Sequence, residues 1–359
     1  MVLREPGLRG GEVRTTLGSA MVVTLVEVRR GALVESRHFG ALVMADTTGR
    51  VLFARGDPHL VSYPRSALKP FQALALVALG GVARFGLTPA ELAVICASHS
   101  GEPVHAQAVA GILRKAGVSA AELRCGVALP GRPTTAGMPA SGGILAHQCS
   151  GKHAGMLALA ELLGVPREGY LQPDHPVQRT IRHWIEQVLG AAAILAQGVD
   201  GCNAPAYALS LATMARAFAL LAQPRGPAAA ALQAIGDAMR AHPELVSASS
   251  GFLDTALMQA VPGLVAKRGA EGYFALGLAD GRGLALKVLD GDGFGRAVGG
   301  RDRGRARAEW SAGGSSPPAE PGCLRPPARP PRCDRAGDRE HPACPALVPR
   351  NSPGASPLD

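Results

Sequence analysis

Residues 272–293 read GYFALGLADGRGLALKVLDGDG. Apolar and polar positions alternate on either side of ADGRG, whose Asp and Gly suit a tight turn, so the stretch is a β-hairpin. Working outward from it, the chain before the hairpin is mostly helical in pattern. The N-terminal end, however, is strand again. VVTLVEVRRG, LVESRHFGALVMAD and GRVLFARG carry the same alternation and break at Arg30-Gly31 and at Asp46-Thr47-Thr48-Gly49, as a meander of three or four strands does. Strands that open and close a chain around a helical middle pair most economically in one antiparallel sheet covered by helices. The fold class expected is therefore α/β of the α+β kind.

Between the strands, helical patterns cover 66–80, 89–96, 104–116, 152–163, 176–190, 205–222 and 226–241. Thr88 and Pro89 mark one start by cap and first-turn proline, and Pro70 falls within the first turn of another. Residues 1–20 read as a loose leader before Met21. Residues 21–297 form the body. Beyond them, 298–359 hold 12 of the 29 prolines and no apolar periodicity, and such a segment buries too little surface to offset its ordering entropy. Arg, Pro, Ala and Gly are also what GC-rich codons yield out of frame, so this stretch reads as a disordered or frameshifted tail.

Composition narrows the function. With 47% hydrophobic and 18% charged residues, the 359-residue chain can build a large core. The net charge of +9 is spread thinly, without a basic block or interleaved aromatics, which argues against a nucleic-acid partner. No apolar run is long enough to span a membrane and no signal segment opens the chain, so a cytoplasmic protein is expected. In that setting cysteines stay reduced, and no CxxC spacing signals a zinc ribbon.

Chemistry-bearing residues gather in five short runs. In SYPRSALKPFQ (62–72), Ser66 and Lys69 sit three apart on one helical face. That spacing suits a capping serine beside a solvated lysine, and equally a serine whose proton the lysine removes. Position favours the second use, since an amide at a helix start is free to stabilise an oxyanion. A second cation would lower the Lys69 pKa, and Lys267, just before the final hairpin, is placed to be one. ASHSGE supplies Ser98, His99, Ser100 and Glu102, either as a polar turn or as a second hydroxyl with substrate contacts. In CSGKHAGML, Cys149 and Lys152 share a face; with Cys202 of DGCNAP they offer two thiolates and a third donor, though buried free cysteines are commoner than ligands. Asp200 is a turn residue or a carboxylate for a substrate amine. The fifth run, KRGAEG, carries Lys267.

Taken together and in this order, YPRSALKPFQALALV, ASHSGE, CSGKHAGML, DGCNAP and KRGAEG followed by GLALKVLDGDG resemble the asparaginase family of the thermolabile rhizobial type, over about residues 21–297. That family is similar in architecture to serine β-lactamases and glutaminases. The resemblance implies hydrolysis of L-asparagine to aspartate and ammonia by two Ser–Lys units, Ser66 with Lys69 and Ser98 with Lys267. It further implies a zinc site at Cys149, Lys152 and Cys202, and a substrate pocket with Asp200 on the α-amine and Arg65, His99 and Glu102 around it. Ser66 is the favoured nucleophile. Three departures stand out. His147-Gln148 replace expected asparagines before Cys149, Asn203 replaces an expected glycine after Cys202, and the Arg/Pro-rich tail replaces a helix that would pack on the sheet.

Other readings remain at this stage. A glutaminase differs only in pocket length. A β-lactamase-like acyl-transferase would need an SDN-type motif between SxxK and KRG, and none is present. A catalytically impaired homologue that binds asparagine would keep the pocket and lose the reaction. The sequence leaves the oligomeric state open, a homodimer included.

Overall fold

The computed structural model describes residues 21–126 and 143–292. The leader (1–20) and the tail (298–359) both lie outside the described residues. A six-stranded antiparallel sheet is built from both ends of the body, in the order β1 (Val23–Arg30), β2 (Leu33–Asp46), β9 (Arg282–Val288), β8 (Tyr273–Gly277), β7 (Val265–Arg268). β3 (Val51–Arg55) pairs with the later half of β2, from Leu42↔Arg55 to Ala45↔Val51. The hairpin expected at 272–293 is β8 and β9, in register from Tyr273↔Lys287 to Gly277↔Gly283. β9 joins the N-terminal meander through Gly40↔Val288 to Asp46↔Arg282.

Two expectations need correction. The helical pattern at 205–222 is a strand followed by a helix: β6 (Pro205–Ser210), then Leu211–Ala222. β6 pairs with β4 (Val61–Ser62) and β5 (Ala196–Val199) in a second small sheet. PAYALS is buried at every position, so the alternation that marks a half-exposed strand is lacking. The pattern at 66–80 is likewise three short pieces, Arg65–Leu68, Lys69–Gln72 and Leu74–Ala78. The first is a 3₁₀ turn, the tighter geometry common at helix ends.

Small residues set how closely the layers approach. The helix Leu211–Ala222 lies across β2, β8 and β9. A Cβ on Gly283 would stand 2.0 Å from Ala215 O, and one on Gly277 2.0 Å from Phe218 O. The helix Ser150–Leu163 is buried on every side along 150–160, which accounts for its lack of an apolar stripe. Its Gly151 and Gly155 face the helix Pro89–Ile95, where a Cβ on Gly151 would come within 2.1 Å of Val94 O. The helix Pro89–Ile95 begins as expected, on a Thr88–Glu91 capping box with Pro89 first. No helix among the described residues is long and apolar enough to cross a membrane.

Gly283→Ala should destabilise the fold by about 1–3 kcal/mol, because the added methyl meets backbone rather than a movable side chain. Denaturant melts of parent and variant check this. An unchanged midpoint would mean that the helix and sheet are not in such close contact.

Candidate active site

The Ser66–Lys69 stretch opens on a strained residue. Arg65 has φ +53°, in the left-handed region that side chains rarely adopt. Its guanidinium donates from Nε (3.0 Å) and Nη2 (2.7 Å) to Asp200 Oδ1. Half-buried Ser66 follows in the 3₁₀ turn. The sheet meets this turn through Gly269, just past β7, where a Cβ would stand 2.1 Å from Pro64 O. The KRG run is therefore seated at the start of the turn that carries Ser66.

Lys69 is 1% exposed. Its Nζ donates to Ala97 O (2.7 Å) and Gln148 O (3.2 Å), which ties it to the ends of two helices. Ser98 is buried next to Ala97, its amide bonded to Val246 O at 3.0 Å, while Ser100 N bonds Ser247 O at 2.7 Å. Lys267 is wholly buried, with Nζ 3.5 Å from Asp254 Oδ2 and 3.3 Å from Arg268 O. Burial pushes its pKa down to about 7; Arg268 and Lys69 act in the same direction, and Asp254 against them. Arg268 reaches Ser98 O from Nη2 at 3.4 Å and stacks on Phe252, 3.6 Å from the ring centre. The two Ser–Lys units are thus neighbours through their backbones. Among the described residues, no hydroxyl–amine hydrogen bond forms within either pair.

His99 and Glu102, expected around a substrate, are occupied by the scaffold. Gly101 N donates to His99 Nδ1 (3.2 Å), so Nε2 carries the proton and donates to Ser150 Oγ (3.1 Å), which donates in turn to Leu145 O (2.7 Å). Burial holds His99 neutral by pushing its pKa well down. Glu102 accepts from Ser100 Oγ at 2.8 Å, from Ser249 N at 3.2 Å and from Ser249 Oγ. Burial would raise its pKa, but these donors outweigh it and the carboxylate is held below its usual range.

Next to Gln148, whose carbonyl receives Lys69, lies a cluster of two thiols and an amine. Cys149 and Cys202 are both buried, and Lys152 Nζ donates to Cys202 Sγ at 3.1 Å. The neighbouring Cys202 sulfur drives the Cys149 thiol well down, and Cys149 in turn drives Cys202 up. Burial opposes the Lys152 charge, yet the two sulfurs outweigh it and raise its pKa. Among the described residues, no three His, Cys, Asp or Glu side chains form a metal-binding group. Two thiols and an amine do converge, a donor set that a soft divalent ion accepts once the amine and the second thiol give up their protons.

The departures at this cluster have local explanations. His147 Nδ1 accepts from Cys149 N at 3.1 Å, which gives the helix start the acceptor an asparagine would supply. Asn203 has φ +68°, a conformation easy for glycine and tolerated by asparagine. Asp200 is both turn residue and ion partner: Asn203 N bonds its carbonyl and Gly201 N its Oδ1. His153 bonds Tyr170 Oη at 2.6 Å and serves the core.

Sequence reasoning missed Asp254, Ser247 and Arg268, which complete the surroundings of Lys267. Asp254 looked like any acidic residue in the first turn of a helix, here Leu253–Ala260. The one available signal was a lone carboxylate among the apolar residues of GFLDTALM.

No curated protein sequence matches the chain. Solved structures similar to it include a protein assigned as a β-lactamase from Bacteroides dorei, 14% identical with a TM-score of 0.39 over 70% of this chain and 84% of that one. EstCE1, a hydrolase with promiscuous acyltransferase activity, is 13% identical, with a TM-score of 0.40 over 72% and 91% of the two chains. A β-lactamase from Mycobacterium bovis is 15% identical, with a TM-score of 0.36 over 72% and 90%. Scores this low mark loose likenesses, and the fold rests on its own sheet order. The sequence pattern of the L-asparaginase II family, by contrast, matches residues 26–298, most of the described body. The chain belongs to the L-asparaginase II family, whose members hydrolyse amides.

Proposed function

We propose that this chain hydrolyses L-asparagine to L-aspartate and ammonia, with Ser66 as nucleophile and Lys69 as its base. The observation that carries this is the seating of Lys69. Its Nζ donates to two carbonyls, Ala97 O and Gln148 O, which fix the amine one turn beyond Ser66, where a lysine serves as the base for a serine nucleophile. Ser66 attacks the side-chain amide carbon while a main-chain amide of its turn steadies the oxyanion. The proton held by Lys69 passes to the departing ammonia, and water then releases aspartate with the same amine as base. Ser98 and Lys267 relay protons beside this pair, for which a buried amine at about 7 is suited.

Arg65 and Asp200 fit the amino-acid end of the substrate. Their ion pair already matches one positive with one negative group, so an α-carboxylate on Arg65 and an α-amine on Asp200 would exchange one balanced arrangement for another. His99 and Glu102 support this pocket by fixing its walls. Zinc belongs to the same proposal, held by Cys149, Cys202 and Lys152. When bound, it supplies a Lewis-acidic anchor for the substrate's amino-acid end. The thermolabile rhizobial subtype, a cytoplasmic setting that keeps the thiols reduced, and a frame shift at the tail are parts of this reading. So is a lone small-molecule partner, without nucleic acid or membrane.

Ammonia release from L-asparagine should fall by about 10³-fold or more in Ser66→Ala, as for loss of an activated nucleophile. Equal release by parent and variant would reject Ser66, and Ser98→Ala assayed alongside would then show whether the second serine attacks. Faster release from L-glutamine than from L-asparagine would replace the substrate and keep the chemistry. No release from either amide by folded parent would leave a non-hydrolytic homologue.

Elemental analysis of protein purified without chelator should find zinc in the parent and strongly reduced zinc in Cys202→Ser, with occupancy rising with pH as the ligands lose protons. Equal metal content in both would remove the zinc assignment.

A further inference from the structure

Asp254 is 0% exposed, and one of its oxygens is a junction. Oδ2 receives Ser247 Oγ at 2.7 Å and Arg268 N at 3.2 Å; Lys267 Nζ lies 3.5 Å and Arg268 Nε 3.9 Å from it. Ser247 belongs to the segment whose carbonyls, Val246 O and Ser247 O, receive the amides of Ser98 and Ser100. A single carboxylate oxygen therefore joins the strand that carries Lys267 to the Val246-Ser247 segment, on which the Ser98 and Ser100 amides rest. We propose that Asp254 is a positioning residue for the reaction, holding the Lys267 amine at the Ser98 segment on an oxygen shared with Ser247. The proposal rests on Lys267 taking part in the hydrolysis proposed above.

The charges around the junction support more than a structural role. A carboxylate kept for the fold alone would be satisfied by Ser247 Oγ and the amides of Thr255 and Arg268. Here two cations also face it. The Arg268 guanidinium is permanently charged, so Asp254 keeps a counter-ion whichever protonation state Lys267 adopts. Lys267 can then take up or release a proton without leaving a buried anion unpaired. The other titratable groups near the amine are Lys69, Cys96 and His99. Burial pushes the Cys96 thiol up to about 12 and His99 well down, so both are uncharged through the neutral range. Asp254 itself is held below its usual value: burial opposes its charge, and Lys267 and Arg268 outweigh the burial.

The linkage has a definite sign. Asp254 favours the protonated amine, so removing its charge lets burial act unopposed and moves the Lys267 midpoint to lower pH. The test uses full-length protein carrying ¹³Cε-labelled lysine, with Lys267→Met to assign the resonance and pH profiles of kcat/KM for L-asparagine alongside. In folded Asp254→Asn the Lys267 midpoint should fall by about 1–3 pH units, the usual effect of losing an adjacent opposite charge. The matching limb of the kcat/KM profile should move with it. Ser247→Ala removes only a competing donor to Oδ2, so the carboxylate is left a stronger partner for the lysine and the midpoint should rise. This second variant decides the matter if Asp254→Asn does not fold. An unchanged midpoint in Ser247→Ala, or in folded Asp254→Asn, would overturn the proposal. A midpoint that moves while the kcat/KM profile stays fixed would overturn the role in the reaction and leave a purely structural ion pair. Should the parent not hydrolyse L-asparagine at all, the role in the reaction falls with the activity, and the NMR midpoint still decides whether Asp254 holds the amine.

Discussion

Two lysine amines are placed where bulk water does not reach them, Lys69 at 1% and Lys267 at 0% exposure. A buried amine is tolerated only where fixed acceptors replace its hydration. Each amine has found a different replacement. Lys69 takes Ala97 O, left open where the helix Pro89–Ile95 stops, and Gln148 O, just before the helix Ser150–Leu163 starts. Carbonyls beyond the last turn of a helix have no partner within it, so the first acceptor follows from where the helix ends. The second needs the two helices to meet closely, and Gly151 against Val94 O permits that. Lys267 instead takes a carboxylate that an arginine also neutralises.

The architecture is arranged around this constraint. The sheet delivers Lys267 and Gly269 from its β7 edge, and Gly269 lets the strand end lie on the backbone of Pro64, just ahead of Ser66. Helix ends deliver Ser98 and Cys149, and a turn after β5 delivers Asp200 and Cys202. The end of β7 and the helix Ser150–Leu163 are fixed by close backbone approach at Gly269 and Gly151, which tolerates less drift than contacts between flexible side chains.

What could be read from the sequence divides along physical lines. Most of the six-stranded sheet was legible, because the N-terminal runs alternate in sequence and ADGRG marks the last turn; β7 was not, since VAKR is buried in all but its last residue. β6 was not, because PAYALS is buried on both faces and its Ala and Leu suit a helix equally. The site was legible where polar residues interrupt apolar sequence, as in SALK, ASHSGE and DGCNAP. It was illegible where tertiary contact alone assigns the role. Nothing in ASHSGE says that Glu102 turns inward to Ser249 or that His99 bonds Ser150, since both partners are distant in sequence. Asp254 is the sharpest case, because only the fold brings it to Lys267.

The start of the SALK turn shows how far such dependence reaches. A left-handed φ at a non-glycine residue costs about 1–2 kcal/mol, and Arg65 adopts one at +53°. Two hydrogen bonds between charged groups, at about 1.5–3 kcal/mol each before screening, are enough to hold it there, and Asp200 supplies both. Asp200 can do so because its own loop is closed by Ala204 O and by the Asn203 and Gly201 amides. The orientation of Ser66 is therefore set partly by a loop more than a hundred residues away in the chain. The same loop carries Cys202, whose sulfur receives the Lys152 amine. The thiol cluster and the serine turn thus share one loop as a support.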